Sequence, residues 1–301
     1  MFDFIRYRKW FYLLSLAVVA VSLIGLFAWG LNWGIDFQGG SSIYVEYEAE
    51  PPALSELRTE LKRLDLGEVE VRTAGERGVM IQLTEQLDDD LRNKILDRLG
   101  QAGQLVEGSY EFEIISAMVS RELADKTQQA VLVSILVILI YVSWAFIKIN
   151  RPVPSWQYGL TALLALIFDV IVMLGVFIFL GHFTGLEINV PIITALLIVF
   201  GYSINDSVVV FDRIRENLLK GVGRDYPETV NYALNQSLGR AFKTSLTTII
   251  VLLFLLFFGG STLYFFALAL IIGIISGTYS SLFIAGPLLV DLYQWRLKDK
   301  G

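Results

Sequence analysis

The sequence predicts an α-helical integral membrane protein with six transmembrane helices and an α+β, ferredoxin-like domain between the first two. Three observations carry this. Of 301 residues, 54% are apolar and the mean hydropathy is +0.58, where a soluble domain has roughly 45–50% apolar residues. The excess is confined to six runs, residues 10–31, 130–147, 158–180, 188–211, 246–258 and 262–290. Residues 36–127 instead have the composition of soluble protein, with period-two alternation in four places.

A hydrocarbon core of about 30 Å takes around 20 helical residues. Five of the runs meet or approach that length. The run from Ser245 is short unless Arg240 and Lys243 lie at the interface with their stems along the helix. Arg6, Arg8 and Lys9 precede the first run, as in a secretory signal. That run lacks a small-x-small cleavage site, which predicts a retained anchor.

The basic residues give the direction. With the amino terminus in the cytoplasm, 14 of the 24 Lys and Arg fall on inner segments: Arg6, Arg8, Lys9, Lys148, Arg151, Arg213, Arg215, Lys220, Arg224, Arg240, Lys243, Arg296, Lys298 and Lys300. The short loops near 181–187 and 259–261 carry none. Both termini are therefore predicted to be cytoplasmic and residues 36–127 extracytoplasmic. The organisation expected is a first segment and helix over 1–35, an outer domain over 36–120, and five further helices over 121–301. His182, the one histidine, is expected as a solvated residue of an outer loop.

Residues 36–126 carry 20 acidic and 10 basic groups, which argues against nucleic acid as a partner. The basic inner loops need nothing beyond anionic membrane lipids. With no cysteine, disulfides and thiolate metal sites are excluded.

In the outer domain Ile43, Val45 and Tyr47 alternate with polar neighbours, as do Val69 and Val71, then Val79, Ile81 and Leu83, and lastly Tyr110, Phe112 and Ile114. Leu54, Leu57, Leu61 and Leu64 share one helical face behind Pro51 and Pro52. Leu91, Ile95 and Leu99 share another, with Asp88, Asp89 and Asp90 suited to its positive end. The order βαββαβ, with a hairpin turn within 74–78, is the split βαβ of ferredoxin-like domains. It contains no nucleophile–base pair, metal cluster or phosphate loop. No cofactor is implied, and the domain reads as a binding or lever module rather than an enzyme.

The informative residues are the ionisable ones inside the spans, which must face protein or water rather than lipid. Asp169 falls near the middle of the third run and Asp206 in the inner half of the fourth. Either reads as an ion- or proton-handling group, or as a structural carboxyl bonded to a neighbouring hydroxyl. Tyr202, Ser203 and Asp206 share a polar face, with Asn205 and Asp212 on the adjacent stripe. Ser237, Arg240, Thr244 and Thr247 form a second stripe. An arginine that keeps its proton, facing an aspartate that can gain one, would make a switch. Arg240 as an interfacial anchor is the alternative.

Residues 201–217, Gly-Tyr-Ser-Ile-Asn-Asp-Ser-Val-Val-Val-Phe-Asp-Arg-Ile-Arg-Glu-Asn, resemble the signature of SecF, the smaller subunit of the bacterial SecDF protein-export complex. That stretch includes Asp212 and Arg213. Gly34–Gly40, with Asp36, Gly39 and Gly40, resembles the Gly-x-Asp-Phe-x-Gly-Gly box of the same family. Phe168-Asp169-Val170 stands where His-Asp-Val is commoner, and Ile115-Ser116-Ala117-Met118 where Gly-Pro is usual.

The resemblance covers essentially the whole chain and implies membership of the RND superfamily, with a half-RND set of six spans. It implies SecD as partner and work beside the SecYEG translocon on a translocating unfolded polypeptide. The setting would be the bacterial cytoplasmic (inner) membrane, with the proton gradient as driving force. Asp206 and Arg240 match the family's proton-linked aspartate and its arginine, and Asn205 matches the position of SecD's acidic partner. A structural stabiliser of SecD without its own relay, or another half-RND transporter, are the alternatives. An intramembrane aspartyl protease would need Tyr-Asp and Gly-x-Gly-Asp, which Phe168-Asp169 and Ile204-Asn205-Asp206 do not supply.

Overall fold

The computed structural model describes all residues except 65, 67, 68, 75, 76, 84–86, 107, 148–151, 300 and 301, and only the backbone at 74, 261 and 262. The tip of the expected hairpin turn and the basic residues Lys148, Arg151 and Lys300 lie outside the described residues. Two compact units emerge. One comprises Met1–Leu31, Gln129–Thr184 and Pro191–Gly301; the other comprises Asn32–Gln128 and Gly185–Val190.

Among the described residues, six helices are long and apolar enough to cross a membrane. They are α1 (Phe4–Trp29), α5 (Ala117–Ala145), α6 (Ser155–Thr184), α7 (Val190–Lys220), α8 (Tyr226–Phe258) and a last span built from α9 (Gly260–Ser280) and α10 (Gly286–Lys298). The helices outrun the apolar runs. Helix α8 starts at Tyr226, with the Asp225 carboxylate accepting from the Glu228 N–H, so the short fifth run is only its apolar part. Arg240 lies about 27 Å along the axis from the end of α8, close to one hydrocarbon thickness. His182 sits in the last turn of α6, not in a loop, and its ring stacks on Trp29 at 4.4 Å.

Between α9 and α10 the helix widens into a π turn, Ser281–Ala285. Pro287, which follows, has no N–H to give the preceding turn, so the ladder must loosen there. Small residues set the close approaches: a Cβ at Gly175 would lie 3.2 Å from the Ser22 Cα, and one at Gly277 would lie 3.2 Å from the Ser203 Cα.

The other unit holds a short helix α2 (Ile35–Gln38), strands β1 (Gly40–Glu46), β2 (Val69–Ala74), β3 (Gly78–Leu83) and β4 (Glu111–Ile115), and helices α3 (Leu54–Lys62) and α4 (Asp89–Ala102). The sheet order is β2-β3-β1-β4 with every pair antiparallel, the ferredoxin-like arrangement the alternation predicts. Ile43, Val45, Val71, Val79 and Ile81 face Leu57, Leu61, Ile95 and Leu99 in one core. Asp88 caps α4 by accepting from the Leu91 N–H at 2.8 Å.

Strand β4 departs from the simple pattern. It has β1 on one side only. Phe112 is partly buried under the Arg92 guanidinium, 4.0 Å from its ring centre, while Tyr110 and Ile114 are exposed. After β4 the chain enters α5 through Ser116, whose hydroxyl accepts from the Val119 N–H at 3.3 Å. A side-chain cap thus starts this span.

Replacing Ile81, wholly buried at the centre of the sheet, by Ala should cost about 2–5 kcal/mol, whereas Ile114→Ala should cost within about 0.5 kcal/mol. The temperature at which the sheet unit becomes protease-sensitive in the intact chain reads both.

Candidate functional site

Asp169 is fully buried near the middle of α6, about 21 Å from its start. Three hydroxyls donate to its carboxylate: Ser203 of α7 to Oδ2 at 2.5 Å, Ser280 of α9 to Oδ2 at 2.8 Å, and Ser276 of α9 to Oδ1 at 2.6 Å. Ser276 and Ser280 are one helical turn apart, so both reach the same acceptor. One carboxylate therefore ties three spans together, directly before the π turn.

Asp206, on α7, is buried but more sparsely held. Thr278 of α9 donates to its Oδ2 at a long 3.3 Å. Thr278 also shares a hydrogen bond with Ser245 of α8 at 2.5 Å, and Ser245 accepts from the Tyr202 hydroxyl at 3.4 Å. Asp206, Thr278, Ser245 and Tyr202 thus form a polar path across α7, α8 and α9. The polar face of α7 splits as a result: Ser203 serves Asp169, and Tyr202 serves Ser245.

Arg240 is exposed on α8, and among the described residues no carboxylate lies within 4.0 Å of it. Two other members of its stripe turn inward on their own helix, since Thr244 bonds to the carbonyls of Arg240 and Ala241, and Thr247 to those of Lys243 and Thr244. Asn205 and Asp212 are exposed on α7. Asp212 meets Arg215 at 3.8 Å, while Arg213 pairs with Glu216 at 2.5 Å.

The glycine box has a geometric role. Asp36 is buried, and its Oδ2 accepts from the Val190 N–H at 2.6 Å, where α7 begins. Orphan donors at a helix start and the positive end of its dipole both favour a carboxylate there. Gly39 and Gly40 have φ of 79° and 126°, and a Cβ at Gly39 would lie 3.2 Å from the Ala117 Cα. A left-handed backbone in close contact with the start of α5 leaves room only for glycine.

Sequence reading singled out Asp36, Asp169, Asp206 and Arg240 but missed Ser245, Ser276, Thr278 and Ser280. The signal for the last three was a polar cluster, residues 276–281, in an otherwise apolar final span. Among the described residues no cluster of metal-binding side chains occurs.

Residues 98–295 match the family described as protein export membrane protein SecD/SecF, C-terminal, and residues 24–50 match the SecD/SecF GG motif. The protein translocase subunit SecF of Thermobaculum terrenum is 39% identical, over 99% of this chain and 95% of that protein. That of Vibrio alginolyticus is 37% identical, over 96% of this chain and 89% of that protein. The crystal structure of SecDF from Thermus thermophilus, described as a translocon-associated membrane protein, superposes with a TM-score of 0.83 at 34% identity. That match covers 97% of this chain and 38% of the SecDF chain, so this chain spans well under half of the solved one.

Removing the serine hydroxyls from Asp169, singly as Ser276→Ala or Ser280→Ala, should each cost from about 0.6 kcal/mol, the average for hydrogen bonds between membrane helices, up to about 1.7 kcal/mol, the largest such value. Thermal unfolding of the purified chain in detergent measures the loss, which should grow in the double variant.

Proposed function

The chain belongs to the SecD/SecF family of protein export membrane proteins, on its SecF side, and from that premise we propose that it pairs with SecD to assist SecYEG. Together they would help an unfolded polypeptide across the bacterial inner membrane, with the proton gradient as the source of energy. The observation that carries the proton role is the contrast between the two buried aspartates. Asp169 has its acceptors filled by three hydroxyls, which suits a joint between helices. Asp206 has a single long hydrogen bond and no ion pair among the described residues, which suits a group that changes its proton.

Loss of the Asp206 charge weakens what Thr278 donates to, and so would alter the balance among α7, α8 and α9. Asn205, exposed on α7, needs cover from protein or water at membrane depth. A SecD helix bringing an acidic group there would complete the relay. The termini are then cytoplasmic, residues 36–127 lie outside, and the domain over 36–120 acts on the emerging chain. The structural-stabiliser reading draws on Arg240, which is exposed and outside ion-pair range in this chain alone.

Asp206→Asn should assemble with SecD but lose proton-gradient-dependent export. Gradient-stimulated secretion in membrane vesicles measures this, and a wild-type rate would refute the relay. Arg240→Lys, which keeps the charge but not the planar fork, should lose most of that stimulation. If it exports normally, Arg240 is an anchor.

A further inference from the structure

The five residues between α6 and α7, 185–189, are held within the sheet unit at several independent points. The Ile188 N–H donates to the Asn32 carbonyl at 2.7 Å, and the Gly34 N–H donates to the Ile188 carbonyl at 2.9 Å. Asn32 Nδ2 donates to the carbonyls of Gly185 and Leu186, both at 3.3 Å. Asp36 caps Val190. The side chains of β2 and β3 complete the grip. Arg72 Nη1 lies 2.7 Å from Glu187 Oε1 and also donates to the Gly185 carbonyl. Its Nη2 pairs with Glu70 at 2.6 Å. Gln82 Nε2 donates to Glu187 Oε2.

This is not an ordinary surface pair. The Arg72 and Glu187 side chains are only 15% and 13% exposed. Burial pushes the Glu187 carboxyl above its usual range, while the Gln82 hydrogen bond and the Arg72 charge pull it back down. Gly185 has φ of 72°, and a Cβ there would meet the Arg72 Cδ at 2.9 Å, so the arginine lies flat against the turn. Val71 and Ile81 point into the core, which puts Arg72 and Gln82 on the sheet face opposite α3 and α4. From Val190 the chain runs directly into α7, and Asp206 lies about 24 Å along that helix.

We propose that Arg72 and Glu187 form a coupling strut that locks the segment Gly185–Val190, from which α7 continues, to the sheet. Displacement of α7 when Asp206 changes its proton is thereby delivered to the outer domain. The strut rests on the proton-driven reading above. It is a positioning device: neither residue handles the proton or the exported chain.

The test uses the full chain with SecD in sealed vesicles, reading assembly, proton flux by a pH-sensitive dye, and export. Arg72→Gln and Glu187→Gln should assemble and pass protons while export falls to the level of Asp206→Asn. Since the chain has no cysteine, a double R72C/E187C variant can be bridged with a short bifunctional maleimide. Unbridged it should fail to export, and bridged it should recover. Wild-type export by the single variants, loss of proton flux together with export, or no recovery on bridging would each overturn the strut. Normal export by Asp206→Asn would instead defeat the proton reading, whatever the strut variants do.

Discussion

Inside a bilayer no water solvates a polar group, so each must find its partners in the protein. Asp169 shows what that demands. A lone carboxylate at the centre of a span would be costly. Here three serines converge on it from two other helices. Meeting that one requirement aligns α6, α7 and α9 in depth and rotation. The glycines on α9 follow from the same demand, because Ser203 reaches Asp169 only if its backbone comes close, and Gly277 opposite Ser203 permits that approach.

A second constraint acts where the chain leaves the helical unit. The start of a long helix exposes donors that its own backbone cannot satisfy. Asp36 serves α7, and Gly39 and Gly40 bend the chain so that Asp36 can stay buried while β1 begins beside it. The glycine box therefore works as one piece: an acidic cap and the two left-handed residues that allow it.

Much of the fold was legible because its signals are local. Apolar runs marked the spans, and alternating residues marked the four strands. The helix limits were less legible, since hydropathy reports the part of a helix in hydrocarbon and not where the helix ends. Helix α5 begins at Ala117 and α8 at Tyr226, both well before their apolar runs. Site chemistry was legible only on the acidic side. Asp169 and Asp206 stand out because a carboxylate in a span is rare. Ser276 and Ser280 do not, because serine is common in membrane helices, and they lie 107 and 111 residues from the group they serve.

The two aspartates differ in their partners: three hydroxyls donate to Asp169 and one to Asp206. A carboxylate whose acceptor sites are filled by three hydroxyls resists change, because losing its charge would strand donors in a dry interior. One with a single long contact has less to lose. A proton-coupled bundle needs both kinds: a joint that keeps the helices in register, and a charge that can vanish without unmaking the joint. Ser203 and Asp206 are neighbours on one turn of α7, so the fixed point and the variable charge share a rod. On the proton-driven reading proposed above, a change at Asp206 would be felt as a pivot of α7 about its tie to Asp169, and a pivoting rod moves most at its ends. One of those ends is Val190, gripped by Asp36.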